Sequence, residues 1–354
     1  MNASPAAAPP FAAPGPPADG WHTANQARLV AALARVRAAL EGRAGAAPPA
    51  DVSVSAGAAG PAALDRLVAL FGLSPFERDV VVLCAGVELD AAFAPLCAAA
   101  QGDPARPYPT FSLALAALDG AHWSALTPDA PLRRWRLVEV GAGASGAPLT
   151  LSPLRLDERV LHYLTGIQYV DERLAGLIEP LRAAGGDLVP SHRTLAERIA
   201  AAWSAGGGRA SAALPVIQLC GPEVAGKRAI AATACAALGL DACVLSADAV
   251  PLAPAEHDAL LRLWEREAAL RAAALLLDCD RGDAADAARA GAVTRLIERL
   301  GGPLIVASCE PWPLPLRPGP ALTYDVRRPS PTEQRALWRD ALGAAGDALN
   351  GRVT

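Results

Sequence analysis

Leu29, Leu33, Val36 and Leu40 recur at three- and four-residue spacing within residues 24–43, with arginines between them, which predicts an amphipathic helix. Apolar runs over 62–73 and 75–89 predict two more helices, the second with Ser74 as N-cap and Pro75 in its first turn. Asp90 is placed to cap a helix running to residue 100, and Thr110 to open a short one ending near 118. Residues 134–140 alternate as a strand does, and 149–156 supply a partner across GAGASGAP. Three helices followed by a hairpin predict a winged-helix-like arrangement, closed by helices over 156–166 and 171–184.

Beyond residue 187 the pattern changes. A helix over 195–204 is followed by strand 214–220, helix 227–238, strand 242–246, helix 254–272, strand 274–278, helix 284–300 and strand 304–308. Such alternation predicts an α/β fold in which a parallel sheet is flanked by helices. The chain is therefore divided into a Pro/Ala-rich, disordered extension (1–20), a mainly helical winged-helix-like domain (21–184), a P-loop-type domain (187–342) and a tail (343–354).

Composition narrows the function classes. With 52% hydrophobic residues, 19% charged residues and a net charge of -4, the chain reads as globular and not polybasic. Its apolar runs are far shorter than the roughly 20 residues that span a bilayer, and its start has no basic region of the signal-peptide kind. A cytoplasmic protein without membrane insertion is expected. Seven cysteines without CxxC spacing and five histidines without paired spacing read as buried thiols and no metal framework. Residues 21–165 hold 12 arginines against 13 acids, and TFSLALAAL, the segment placed as a recognition helix, has no basic or amide side chain. The one basic cluster, Arg133, Arg134 and Arg136, reads as a solvated strand edge. Protein docking is expected of this domain, and nucleic-acid binding is not.

The most informative chemistry lies in GPEVAGKR: Gly221, Pro222, Glu223, Val224, Ala225, Gly226, Lys227 and Arg228, between an apolar strand and an apolar helix. That is where a P-loop cradles phosphate with backbone N–H groups and a lysine ammonium. Lys227 is the only lysine in a chain otherwise served by arginine. A nucleotide is thus the expected ligand. Mg2+ is harder to place, because Arg228 stands where the loop needs a hydroxyl ligand. The strand ending at Asp278 resembles the one whose Asp orients Mg2+, but Cys279 occupies the place of the next acid. Asp280 either stands in for that acid or is a solvated carboxylate. Ser308 and Cys309 lie where a polar residue would face attacking water, and Arg317 where an arginine would reach a neighbouring subunit.

Together with LFGLSPFERDVVVLCAGVELDAAFAPLCAAAQGDPARPYPTFSLALAAL, residues 70–118, these motifs make the chain resemble the front half of a bacterial AAA+ ATPase family. Members of that family are often encoded with contractile phage-tail-like injection systems. The resemblance covers residues 21–342 and implies a winged-helix-like domain before a degenerate first ATPase module with an incomplete lid, a better-preserved second module being absent. It implies ATP as that nucleotide and a homo-oligomer that assembles or remodels a protein complex, with hydrolysis impaired at Arg228 and Cys279. A non-catalytic scaffold with a fossil P-loop and a winged-helix DNA-binding regulator are the competing readings.

Overall fold

The computed structural model describes residues 20–43, 60–141, 148–181, 188–207, 214–280, 286–312 and 320–342. The chain divides between Asp171 and Glu172 into two compact units.

The first unit contains α1 (Trp21–Arg43), α2 (Ala63–Phe71), α3 (Pro75–Leu89), α4 (Phe93–Gln101), α5 (Phe111–Ala117), α6 (Pro131–Arg134), β1 (Val138–Val140), β2 (Leu154–Leu156) and α7 (Glu158–Leu164). Along α1, Leu29, Val36 and Leu40 are buried at the predicted spacing. Helix α3 is enclosed from Val80 to Gly86, so its apolar run needs no polar face. Its Gly86 is required by α4, since a Cβ there would lie 2.3 Å from the Phe93 ring. Asn25, 3% exposed, donates to the Leu164 carbonyl at 2.9 Å and accepts from the Ala63 N–H at 2.7 Å, so a buried amide ties three helices with both its nitrogen and its oxygen engaged. Strands β1 and β2 pair antiparallel as expected, Val138 opposite Leu156.

Two boundaries differ from the sequence reading. The expected strand 134–140 begins only at Val138, because Pro131 starts a helical turn that ends at Arg134. Residues 149–151 form a 3-10 turn before β2. Asp90, expected to cap the helix running to residue 100, instead ends α3 and accepts the Ala92 N–H at 2.9 Å in the turn before α4, whose own N-cap residue, Ala92, has no side-chain cap.

The second unit contains β3 (Ile178–Pro180), α8 (Pro190–Gly207), β4 (Val216–Cys220), α9 (Val224–Ala237), β5 (Asp241–Ser246), α10 (Pro254–Arg271), β6 (Ala273–Asp278), α11 (Ala287–Arg299), β7 (Leu304–Ser308), β8 (Ala321–Asp325) and α12 (Pro331–Leu342). The sheet runs β3-β5-β6-β7-β4-β8, parallel except for β3. One face of the sheet, carrying Ile217, Leu219, Leu276, Ile305 and Ala307, packs on α8 and α9 through Ile199, Trp203, Ile230 and Ala234. Helix α10 contacts β6 and α11. The chain leaves β4 for the far strand β5, steps back through β6 and β7, and then crosses β4 to β8. This reversal places the carboxyl ends of β4, β7 and β6 side by side, which is where open α/β sheets form their binding crevices.

The helix expected over 171–184 is not present among the described residues there: 172–174 is a 3-10 turn, and 178–180 is the antiparallel edge strand. Its short length, ending in Pro180, suits an edge, where a missing N–H faces no partner.

Candidate functional site

Parallel register brings Cys220 of β4 opposite Ser308 of β7, and Asp278 of β6 opposite Ala307. The phosphate-loop segment leaves β4 at this edge. Gly221 has φ +129°, and a Cβ on it would meet the Val326 carbonyl oxygen at 2.3 Å, so only glycine fits. Its N–H is shared between the carbonyls of Ser308 and Cys309, at 3.1 and 3.0 Å. A Cβ on Gly226 would lie 2.7 Å from His192 Cε1 and 2.9 Å from Glu223 Cγ. His192 is in turn 2.9 Å from the Arg327 carbonyl through Nε2.

The helix begins earlier than its sequence suggests. It starts at Val224, not at Lys227, and the Lys227 N–H donates to the Glu223 carbonyl at 3.1 Å. The glycines therefore serve close packing, and the open loop shrinks to Gly221, Pro222 and Glu223. Glu223 makes no side-chain cap, so the amides of Val224, Ala225 and Gly226 keep the unspent donors of a helix start.

The charged residues close on one another. Lys227 is completely buried, and its ammonium donates to the Gly221 carbonyl at 2.6 Å, the Ser308 carbonyl at 2.9 Å and Asp280 Oδ1 at 2.5 Å. An ammonium has three hydrogens, and all three are used. Arg228 Nη2 lies 2.6 Å from Asp278 Oδ2, and Asp278 Oδ1 accepts the Asp280 N–H at 3.1 Å. The Asp280 side chain is only 2% exposed, which corrects the reading of it as a solvated carboxylate. Its Oδ2 and Arg228 Nε are buried without a hydrogen-bond partner among the described residues. Cys309 Sγ approaches Asp280 Oδ1 at 3.6 Å. Cys309 is exposed, unlike the other six cysteines, so the expectation of uniformly buried thiols fails at this edge. Burial, reinforced by the Asp278 and Asp280 carboxylates, pushes the Cys279 thiol up to about 12, so it stays protonated and inert.

This arrangement does not fit Mg2+. The carboxylate expected to hold it already carries a guanidinium, and the residue after Lys227 brings a second cation in place of a hydroxyl. It does not fit a triphosphate either, because Lys227 has no hydrogen left to give. Arg317 lies outside the described residues. Sequence reasoning missed His192 and the Val326 carbonyl, which carry no motif. It named both members of each ion pair without joining them. The signal was present, since Arg228 beside Lys227 and Asp280 two residues beyond Asp278 are additional charges of opposite sign.

In the first unit, α5 buries Phe111, Leu113 and Ala114 and has no basic side chain. Arg133 donates to the Leu126 carbonyl at 2.9 Å, and the Arg134 guanidinium lies 5.0 Å from the Trp135 ring centre. Arg133 and Arg134 thus have local structural partners.

Comparison with known proteins bears mainly on the first unit. A family model described as a winged helix domain, variant, matches residues 18–178. The chain thus couples a winged-helix region to an α/β unit with a mostly parallel sheet. No curated protein matches. Among solved structures, "Structure of Rhizobiales Trip13" is similar at 21% identity over 49% of this chain and 72% of that chain, with a TM-score of 0.27, too loose to carry an argument. Among the described residues, no helix is long and apolar enough to cross a membrane.

Proposed function

We propose that this chain is an AAA+-type module that acts as a non-catalytic protein-docking scaffold in the assembly of a larger complex. The observation that carries this reading is Lys227: completely buried, with every donor spent on the protein itself. The P-loop-like segment sits at the carboxyl end of an interior strand, as a nucleotide-binding ancestor requires, while Arg228 and Asp280 neutralise the groups that would meet nucleotide and metal. This favours the fossil P-loop over an adenine-nucleotide site. The resemblance in residues 70–118 points to contractile injection machinery as the complex, with protein components and further copies of the chain as partners. The uncharged α5 supports protein docking by the winged-helix region over DNA binding.

The test is a thermal melt of the purified chain with ATP and Mg2+ up to millimolar concentration, since any ligand of the native state raises its melting temperature. No shift is expected. A saturable shift would overturn the scaffold reading in favour of a nucleotide-binding module.

A further inference from the structure

Resting on that reading, we propose that the two ion pairs are a built-in substitute for a metal-bound phosphate ligand. Asp280 supplies Lys227 with the anion that phosphate would bring, and Arg228 supplies Asp278 with the cation that a divalent metal would bring. The site is closed by the chain's own charges.

The argument starts from burial. A lysine with no exposed surface requires a partner charge, because an unpaired ammonium in a dry interior is strongly disfavoured. Asp280 is that partner, and it reaches Lys227 because the β6 strand ends two residues earlier and the Asp278 carboxylate accepts the Asp280 N–H. Asp278, 4% exposed, poses the same problem with the opposite sign, and the Arg228 guanidinium answers it. The two solutions are reciprocal, since Lys227 and Arg228 are neighbours on α9 and Asp278 and Asp280 flank Cys279.

A second feature shows that the fit is one of charge more than of hydrogen bonding. Asp280 Oδ2 and Arg228 Nε are buried here without hydrogen-bond partners among the described residues. Carboxylates evolved into an ordinary core network would have their oxygens met. The uncapped amides of Val224, Ala225 and Gly226 remain beside Lys227 in sequence, with no side chain of Glu223 upon them. Removing the internal anion therefore leaves a buried ammonium and an open helix start, a seat for an inorganic phosphate or a phosphate ester that needs no metal.

The experiment removes each charge separately and adds the group that it replaces. Asp280→Asn, in EDTA, is expected to gain about 3 °C in melting temperature with inorganic phosphate at roughly ten times its dissociation constant, while the wild-type chain does not respond. The gain disappears in Asp280→Asn/Lys227→Met. Arg228→Ser, which leaves the Lys227–Asp280 pair intact, gains a response to MgCl2 that the wild-type chain lacks. A folded Asp280→Asn that ignores phosphate overturns the proposal, as does a phosphate response that survives loss of Lys227, or an Arg228→Ser that ignores Mg2+. Should Asp280→Asn not fold, Arg228→Ser decides alone. A wild-type response to ATP with Mg2+ sinks the scaffold reading and is separate from these outcomes.

Discussion

Helices α3 and α9 each have a glutamate at the start, Glu77 in the first turn of α3 and Glu223 at the N-cap position of α9, yet the two starts are built from different materials. At α3, Ser74 and Glu77 exchange side chain and backbone hydrogen bonds, and Pro75 has no N–H to satisfy. Four consecutive residues complete the start. At α9 no side chain caps the helix, and its position is set by distant groups: Val326 against Gly221, His192 against Gly226, and Asp280 and Ser308 on Lys227. The first start is specified locally and closed. The second depends on the whole sheet being in place, because it draws contacts from β7 and from the segments after β6 and β8.

Breaking the long-range start has the largest expected effect. Lys227→Met leaves Asp280 buried without its counter-charge, and loss of one member of a buried pair costs about 3–5 kcal/mol. The measurement is urea denaturation, with hydrogen exchange of the β4 and β6 amides reporting the second unit. A loss below about 1 kcal/mol, the range of exposed pairs, would mean that the Lys227–Asp280 pair is solvated and does not hold the α9 start.

The local start is expected to break more gently. Ser74→Ala removes the N-cap oxygen and its contact with His122 Nε2 at 2.9 Å, for a loss of about 1 kcal/mol. Far-UV melting of the variant would check it. An unchanged stability would show that Pro75 and packing of Phe76 hold the α3 start without the cap.

The same division between local and distant determinants explains what the sequence reveals. Interior strands β4, β5, β6 and β7 are legible as short apolar runs because both faces are covered by helices, as the wholly buried Val216–Cys220 and Ala273–Asp278 illustrate. The two edge strands escape it. Ile178–Pro180 is three residues long with one buried position, and Ala321–Asp325 buries only Tyr324 outright. Neither has an apolar run to read. At the site, the glycines, Lys227 and the carboxylates are legible one by one, because each belongs to a motif. Their pairing is not, since residues 50 and 53 positions apart meet only after the sheet order is known.

A third helix start carries the comparison to its smallest effect. Ser330-Pro331-Thr332-Glu333 repeats the Ser-Pro-x-Glu sequence of α3, and the Glu333 carboxylate accepts the Ser330 N–H at 2.8 Å while the Glu333 N–H returns to Ser330 Oγ at 3.3 Å. Unlike Glu77, it also accepts the N–H of Ser191, in the first turn of α8, at 3.0 Å. Backbone hydrogen bonds from Ser330 and then Ser191 hold its pKa at about 2, below the usual 4.5. A carboxylate depressed in this way adds stability above pH 4.5, and the contribution is lost as pH falls from there through about 2. Solvent screening keeps it to a few tenths of a kcal/mol. Amide exchange at Ser191 and Glu333 should therefore accelerate over that window, beyond the intrinsic pH trend, in the wild-type chain and not in Glu333→Gln. Equal behaviour of the two chains would mean that the bridge between α8 and α12 is not held by the charge. Loss of the effect at Ser191 alone would mean that the capping box stands by itself, as it does at α3.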